Sequence, residues 1–358
     1  MSSRTRIAVI YGGRSSEHSI SCISAGAIRR ALDPQRYDVV PIGITRDGGW
    51  YLQRTDPNEL RIIDGVLPEV LANDEPVTFH ADPTKVDPVI GVLDVVFPVL
   101  HGPYGEDGTV QGLFELAGIP YVGSGVLSSA VAMDKGYMKA LFAAAGLGVG
   151  PYEVITDHQW RTNEAECRSR IADLGFPLFV KPARAGSSQG ITKVHSVSEL
   201  DAAIAEARLH DPRLVIEAGI DGVREIECAV MVDADGIARA SRCAEIIVRS
   251  GHEFYDFAAK YLDDAAELVV PAEIPESVET RMRELAVVAF DALGCEGLAR
   301  VDFFLLPDGS VVVNEVNTMP GFTPISMFPR MWDVSGIGYA PLVDALVADA
   351  LRRGTGLR

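Results

Sequence analysis

The alternation of short apolar runs with helical segments near the N-terminus is the feature that most constrains the fold. Residues 6–11 and 39–44 are β-rich apolar runs, and residues 19–31 between them have helical spacing. Two strands joined by a helix normally lie parallel in one sheet, and ligands bind beyond the carboxyl ends of such strands. We therefore predict an α/β fold that begins with a parallel sheet.

Charge and hydropathy exclude several classes of function. The chain has 358 residues and carries 32 Lys and Arg against 50 Asp and Glu, a net charge of −18. So acidic a composition predicts neither a nucleic-acid partner nor attachment to an anionic membrane. The apolar runs are too short for a membrane span or a signal-peptide core, and the five cysteines form no CxxC pair. These observations predict a cytoplasmic protein.

The chain is long enough for more than one hydrophobic core, and we predict three units. An N-terminal α/β domain spans residues 1–125, a central unit spans 126–220, and a C-terminal unit spans 221–358. The central unit is predicted to contain a helix at 128–145, strands at 178–181 and 192–194, a helix at 198–209 and an edge strand at 213–217. The C-terminal unit is predicted to contain strands at 225–232, 237–247, 298–306 and 311–316, and helices at 276–293 and 342–353.

A hairpin with four polar side chains on one face is the most informative local pattern. Asp308-Gly309 separates two apolar β runs, and Asp-Gly is a strong hairpin signal. A turn centred between these two residues pairs Arg300 with Asn317 and Asp302 with Glu315, all on one face because side chains alternate along a strand. Four apolar residues extend that face: Phe304, Leu306, Val311 and Val313. We therefore predict that it is the buried face.

Two carboxylates opposite each other on a buried face need a positive charge between them. Oxygen ligands from Asp302, Glu315 and Asn317 would suit Mg²⁺ bound together with nucleotide phosphates. An ordinary ion-pair network, in which Arg300 alone neutralises the carboxylates, is the alternative.

Three further segments are candidates for binding. Lys181 ends an apolar run and leads into a loop of Gly and Ser residues, 186–190, whose backbone N–H groups could approach a phosphate, although a plain turn fits the same composition. Neither a Walker A sequence nor a complete GxGxxG fingerprint occurs. The polar stretch 249–264 is a candidate lid or an exposed turn. His101 follows a predicted strand at 93–100, at the edge where α/β sheets bind ligands.

Seven motifs occur in order along the chain: GGRSSEHSIS at 12–21, HGPYGEDG at 101–108, MDK at 133–135, KPARAGSS at 181–188, YDFAAKY at 255–261, GLARVD at 297–302 and NEVNTMPG at 314–321. Together they resemble the motifs of the D-alanine–D-alanine ligases of the ATP-grasp superfamily. The resemblance covers essentially the whole chain. It implies an ATP-grasp fold with an N-terminal parallel-sheet domain, a homodimer, and ATP-dependent joining of two D-alanines through an acyl phosphate for peptidoglycan precursors.

The resemblance also implies roles for individual residues. Those expected to bind ATP are Lys135, Lys181, Glu217, Ala218, Ile220, Glu225, Phe254, Lys260 and Phe304. Those expected to hold two Mg²⁺ ions, or Mn²⁺ in their place, are Asp302, Glu315 and Asn317. Those expected to bind D-alanine are Glu17, His101, Arg300, Gly321, Ser326 and Met327. Those expected to take part in catalysis are Glu17, His101, Ser187, Tyr261 and Arg300.

Tyr261 bears on the second substrate. In the family a lid tyrosine at this position, linked to Glu17 and Ser187, accompanies dipeptide formation. Its presence favours D-alanine over D-lactate as the second substrate. A ligase that makes D-alanyl-D-lactate is the first alternative, and a non-catalytic nucleotide-binding regulator is the second.

Overall fold

The computed structural model describes residues 4–186, 188–248 and 266–356. Within these ranges the strands form three sheets. Their mixture of parallel and antiparallel pairing with flanking helices confirms the α/β class predicted from the sequence.

The first sheet contains the predicted parallel βαβ arrangement. Its strands are β1 (Thr5–Gly12), β2 (Tyr37–Ile44), β3 (Trp50–Leu52) and β4 (Val95–Val99), in the order β3-β2-β1-β4. β1 pairs in parallel with β2 and β4, and helix α1 (His18–Ala31) connects β1 to β2. Alternate residues of β1 enter two different cores, Ile7 and Val9 on one face and Ala8 and Ile10 on the other. Helix α2 (Thr109–Ala117) follows β4 and packs on the second of these faces.

Two helices where the sequence predicts one precede the second sheet. They are α3 (Val126–Met133) and α4 (Lys135–Ala144). Asp134 interrupts the predicted helix at 128–145 because its backbone is extended, with φ −91° and ψ 102°. Its carboxylate accepts hydrogen bonds from the N–H groups of Gly136 and Tyr137, as an N-cap does. The helical spacing of apolar residues continues through this point, so the pattern alone did not reveal the break.

The second sheet is antiparallel and has the order β5-β8-β6-β7. Its strands are β5 (Tyr152–Ile155), β6 (Leu178–Pro182), β7 (Thr192–Val194) and β8 (Leu214–Ala218). Helices α5 (Asp157–Thr162), α6 (Glu164–Asp173) and α7 (Leu200–His210) flank it. The prediction of an edge strand at 213–217 is wrong, because β5 pairs with β8 on the side that was expected to be open. Val215 and Ile216 are fully buried, as in an interior strand.

The third sheet lies between two layers of helices. Its strands are β9 (Arg224–Val232), β10 (Ala238–Val248), β11 (Ala266–Val269), β12 (Leu298–Leu305) and β13 (Val311–Asn317), in the order β11-β10-β9-β12-β13. Cys228 and Val230 of β9 pack in one core with helix α8 (Glu276–Ala292). Ala229 and Met231, on the opposite face, pack with helices α9 (Met327–Val334) and α10 (Tyr339–Arg353) and with the first sheet. The first and third sheets therefore share a core.

The β12–β13 hairpin has the predicted pairs at the polar positions, but two irregularities that were not predicted from the sequence produce this register. Arg300 pairs with Asn317, and Asp302 pairs with Glu315. The hairpin loop is one residue shorter than predicted, since Val311 pairs with Leu305 and not with Leu306. Asn314 has no partner in β12 and therefore forms a bulge in β13. These two irregularities shift the register in opposite directions and cancel at the polar pairs.

The predicted burial of that hairpin face is wrong. Phe304 and Leu306 are only partly buried, whereas Val301, Phe303 and Leu305 on the opposite face are buried against α8. Val311 pairs with Leu305 and packs at the edge of that same core. Val313, predicted to share the face of Asp302, also lies in this core because the bulge reverses its side. The polar face of the hairpin lies on the side of the third sheet that packs against the first sheet, since Arg300 pairs with Ala229.

Among the described residues no single helix is long and apolar enough to cross a membrane. Helices α9 and α10 reach such a length and composition only as a pair, and that pair is bent by 104°.

Candidate active site

Arg300 lies among carboxylates at the centre of the hairpin face. Its Nε and Nη2 donate to the two oxygens of Asp302, both at 2.7 Å, and Glu227 Oε1 on β9 lies 3.2 Å from Nε. Asn317 Nδ2 donates to Asp302 Oδ2 at 3.0 Å. Burial lowers the pKa of Arg300, but the charges of Asp302 and Glu227 outweigh that effect and raise the pKa well above its usual value. This guanidinium is permanently charged and fixed in orientation.

The three predicted metal ligands have the chemistry that Mg²⁺ requires. Asp302, Glu315 and Asn317 lie on paired strands, and each offers a hard oxygen donor. Within the described ranges, no three or more His, Cys, Asp and Glu side chains are grouped so that they could bind a metal ion. The present set is two carboxylates and one amide, so further coordination positions would remain for phosphate oxygens. By donor type these residues suit a magnesium ion bound jointly with a nucleotide, and in this structure both oxygens of Asp302 accept from Arg300.

Three lysines from two elements converge beside the hairpin. Lys135 and Lys139 are four residues apart on α4 and so share one face of the helix, and Lys181 ends β6. Lys135 Nζ lies 3.7 Å from Glu315 Oε2 and donates to the carbonyl of Ala185 at 3.0 Å. Lys135 of α4 thus joins the loop after β6 to a carboxylate of the third sheet.

Glu217 of β8 is enclosed by two of these lysines. Its Oε2 accepts from Lys181 Nζ at 2.7 Å, and its Oε1 lies 3.1 Å from Lys139 Nζ. Burial raises the pKa of Glu217, but the charges of Lys139 and Lys181 outweigh it and lower the pKa to about 2. Burial lowers the pKa of Lys139, and Lys181 adds to this, while Glu217 opposes it. One carboxylate cannot balance two ammonium groups, so the cluster keeps a surplus positive charge suited to an anionic ligand.

The remaining predicted nucleotide residues surround the connection from β8 to β9. Ala218 ends β8, and its N–H donates to the carbonyl of Pro151 at 3.0 Å. Ile220 lies in the short loop that follows. Glu225 on β9 is paired with Phe304 on β12, so a carboxylate and an aromatic ring lie side by side at this edge of the third sheet.

The predicted substrate residues of the first sheet lie in the loops after β1 and β4. A cavity of about 330 Å³ opens at this carboxyl edge, with Ser15, Leu100 and His101 among its lining residues. His101 Nδ1 donates to the carbonyl of Met319 at 2.8 Å, because a carbonyl can only accept. Its Nε2 is buried, and no described residue hydrogen-bonds to it. Glu17 is buried, and Gly186 lies beside it: a Cβ added there would be 3.2 Å from Glu17 Oε1.

Glu106 lies in the site, although it was not predicted from the sequence to be a functional residue. Its carboxyl group accepts from the N–H groups of Gly102 at 2.8 Å and Met319 at 3.1 Å, so it joins the loop after β4 to the loop after β13. Burial and the nearby charge of Glu17 raise the pKa of Glu106 to about 8. Glu106 could have been predicted from its place in the HGPYGEDG motif. Lys139 could have been predicted from its four-residue spacing from Lys135.

The remaining predicted substrate residues lie near the start of α9. Ser326 is the residue before α9, and its Oγ lies 2.8 Å from Thr323 Oγ1 and accepts from the Thr323 N–H at 3.1 Å. Gly321 approaches the same hydroxyl, since a Cβ added there would be 3.2 Å from it. Met327 is buried in the core shared by the first and third sheets. Four predicted site residues lie outside the described residues: Ser187, Phe254, Lys260 and Tyr261.

Sequence models of the D-Ala–D-Ala ligases match most of the chain. The model of the ligase N-terminus matches residues 6–124, and the model of the C-terminus matches residues 141–348. The D-alanine–D-alanine ligase of Arthrobacter sp. (strain FB24) is 55% identical over 369 residues, which cover 99% of this chain and 96% of the relative. That of Rhodococcus jostii (strain RHA1) is 55% identical over 370 residues and covers 99% of both chains.

Solved structures of two ligases have the same fold. The VanG D-Ala:D-Ser ligase from Enterococcus faecalis superimposes with a TM-score of 0.85 at 39% identity, over 97% of this chain and 100% of that one. The D-alanine–D-alanine ligase from Coxiella burnetii gives a TM-score of 0.81 at 35% identity, over 98% and 94% of the two chains. The likeness therefore extends over all three sheets.

Proposed function

Because the chain belongs to the D-alanine–D-alanine ligase family, we propose that it uses ATP to join two D-alanines into D-alanyl-D-alanine for peptidoglycan precursors. Its fold is the ATP-grasp fold, preceded by a parallel sheet. The observation that carries the proposal is the meeting of two charge sets, the lysines of α4 and β6 and the carboxylates of the third sheet, with Lys135 Nζ 3.7 Å from Glu315 Oε2. Such a site can neutralise a phosphoryl group during its transfer.

ATP would bind between the second and third sheets. Lys135 and Lys181 would hold its phosphates, joined by Lys260, and the buried carboxylate of Glu217 would accept from the 6-amino group of adenine. The residues proposed to complete the nucleotide site are Ala218, Ile220, Glu225, Phe254 and Phe304. The surplus positive charge around Glu217 supports this arrangement, since ATP is a polyanion.

In the first step the carboxylate of one D-alanine attacks the γ-phosphorus, which releases ADP and gives an acyl phosphate. Glu17 would bind the ammonium group of this D-alanine, and the lysines would neutralise charge on the transferring phosphoryl group. Asp302, Glu315 and Asn317 would hold two Mg²⁺ ions, which supply further neutralisation of the phosphates when bound. The acyl phosphate is needed because a free carboxylate is a poor acyl donor.

In the second step the neutral amine of the other D-alanine attacks the acyl carbon, and inorganic phosphate leaves. The Arg300 guanidinium and the backbone N–H near Gly321 would stabilise the oxyanion of the tetrahedral intermediate. His101 would lie near the carboxylate of the first D-alanine, and the proton that the attacking amine loses would leave with the phosphate. Ser326 and Met327 would border the second carboxylate, and Ser187 and Tyr261 would orient Glu17 and close the site.

We propose further that the protein acts in the cytoplasm as a homodimer, a state that light scattering would test. A depsipeptide ligase with D-lactate as second substrate is not favoured, since the curated relatives at 55% identity are D-alanine–D-alanine ligases.

Phosphate release from ATP with Mg²⁺ tests the proposed function. The enzyme is given D-alanine, L-alanine, D-alanine with D-lactate, or D-alanine with D-serine, and the products are identified by mass. We expect release with D-alanine alone and D-alanyl-D-alanine as the product. A mixed product that dominates at neutral pH would contradict D-alanine as the second substrate, and no release in any mixture would contradict the ligase activity.

A further inference from the structure

Lys139 is a buried lysine with no role in the reaction described above. Its side chain is 3% exposed, and its Nζ faces Glu217 Oε1 at 3.1 Å from the inner side of α4. Fully buried lysines are rare unless an anion compensates them, and breaking such a pair leaves a strongly unfavourable charge. The position of Lys139 therefore depends on Glu217, and the state of Glu217 depends on Lys139.

The two oxygens of Glu217 differ in what they accept. Oε2 accepts a hydrogen bond from Lys181 at 2.7 Å, whereas Oε1 lies 3.1 Å from Lys139 Nζ, so each oxygen faces one ammonium group. Oε1 still keeps a lone pair for another donor. An exocyclic amino group of a purine is a donor of this kind, and a 6-oxo group is not.

The two lysines also differ in freedom. Lys181 is 12% exposed and lies at the end of β6, where the Gly-rich loop begins, whereas Lys139 is fixed inside α4. If Lys181 turns toward a phosphate, Glu217 loses the shorter of its two contacts with an ammonium group, and Lys139 is left as its cationic partner. A buried carboxylate with no cation beside it would take up a proton or move.

We propose that Lys139 is a positioning residue for nucleotide selectivity: it keeps Glu217 ionised and in place to accept from a 6-amino purine while Lys181 binds phosphate. This inference rests on the proposed function, because it assigns ATP to the same site. Among the residues that the structure describes, the charged or titratable groups that face Glu217 are Lys139 of α4, Lys181 of β6 and Tyr152 of β5, with the Tyr152 ring 5.9 Å from Lys139 Nζ. Loss of Lys139 leaves burial opposed by a single lysine, so the pKa of Glu217 should rise from about 2.

The test is direct binding of ADP and IDP, whose bases differ by a 6-amino and a 6-oxo group, measured by calorimetry between pH 6 and 9. In Lys139→Met we expect the Kd for ADP to rise at least about tenfold and the preference for ADP over IDP to fall, with both partly recovering as the pH rises and Glu217 ionises. The KM for D-alanine should stay within about twofold, because the residues proposed to bind the first D-alanine, Glu17 and His101, lie in the loops of the first sheet, whereas Lys139 and Glu217 belong to α4 and β8. Lys85→Met is the matched control, since Lys85 is 66% exposed and remote.

A double-mutant cycle separates this role from a general loss of structure. If Lys139 acts through Glu217, adding Lys139→Met to Glu217→Gln should cause no further loss of ADP preference, even if the single Met variant is unstable. Equal losses for ADP and IDP in the single variant, or an additive loss in the double variant, would overturn the proposal. A wild-type protein that binds ADP but forms no D-alanyl-D-alanine would overturn the proposed function alone.

Discussion

Asp302 accepts from Arg300 through both oxygens and from Asn317 through one, so its carboxylate is held in a single orientation. Glu227 gives Arg300 a second anionic neighbour at 3.2 Å. At the scale of single residues, the site is thus a set of charges in which each group orients the next. A change of charge at one position should affect chemistry more than folding.

Asp302→Asn tests this directly. The amide removes the negative charge that a metal ligand supplies, so we expect kcat to fall by about 100-fold or more. Arg300 keeps Glu227 as a partner, so the far-UV circular dichroism should remain that of the wild type. Glu284→Gln, at an exposed carboxylate of α8, is the control. Turnover at the wild-type rate in Asp302→Asn would contradict the proposed metal role.

Glu106 predicts a pH dependence of stability. Its pKa is raised from 4.5 to about 8 in the folded protein, so between these values the unfolded chain loses a proton that the folded protein keeps. Stability should therefore fall as the pH rises from 4.5 to 8 and then level off. Thermal unfolding midpoints of wild type and Glu106→Gln, measured from pH 5 to 9, should diverge across this window. Parallel curves would show that Glu106 does not carry the dependence.

At the scale of elements, the hairpin and helix α4 place the charges. Two offsetting irregularities in β12–β13 bring Asp302 and Glu315 face to face, and the cap at Asp134 starts α4 where Lys135 and Lys139 face the second sheet. Local backbone geometry therefore decides which side chains meet.

Gly309 and Gly112 form a matched pair for testing the hairpin turn. Gly309 has φ +84°, whereas Gly112 lies within α2, and a Cβ at either position meets nothing within 4 Å. Gly309→Ala should destabilise the protein by about 1 kcal/mol, because only its backbone conformation is disfavoured. Gly112→Ala should stabilise it by about 0.5–1 kcal/mol through helix propensity. Thermal unfolding measures both, and a stabilising Gly309→Ala would contradict the turn geometry.

At the scale of the whole molecule, the first and third sheets share one core, whereas the second sheet has its own. Phe322 is the centre of the shared core. It is fully buried, and its ring centroid lies 5.9 Å from that of Phe97 in β4, 5.6 Å from that of Phe328 in α9 and 5.7 Å from that of Tyr339 in α10. The two sheets should therefore lose stability together.

Phe322→Ala should lower the stability by about 3–5 kcal/mol and speed hydrogen exchange in both β4 and α9. Ile171→Ala, in the separate core of the second sheet, should speed exchange in β6 and β8 and leave β4 and α9 protected. Exchange read by mass spectrometry distinguishes the two patterns. Faster exchange in α9 alone after Phe322→Ala would contradict a shared core.

The sequence by itself determined the order of most strands and helices, the pairing of Arg300 with Asn317 and of Asp302 with Glu315, and the family. These depend on side-chain periodicity, turn residues and motifs, which are local properties of a chain. Short or edge elements such as β5 escaped the same reasoning because their patterns are too brief to stand out.

Only the tertiary structure decided which face of the hairpin is buried, that β8 is an interior strand, and that Lys139 meets Glu217. Glu106 and Met319 are 213 residues apart, and the hydrogen bond between them follows from the packing of two loops. Contacts of this kind depend on what covers each face and on which distant charges compensate a buried one. The residues next to a given side chain along the sequence specify neither the element that covers it nor the distant charge that compensates it.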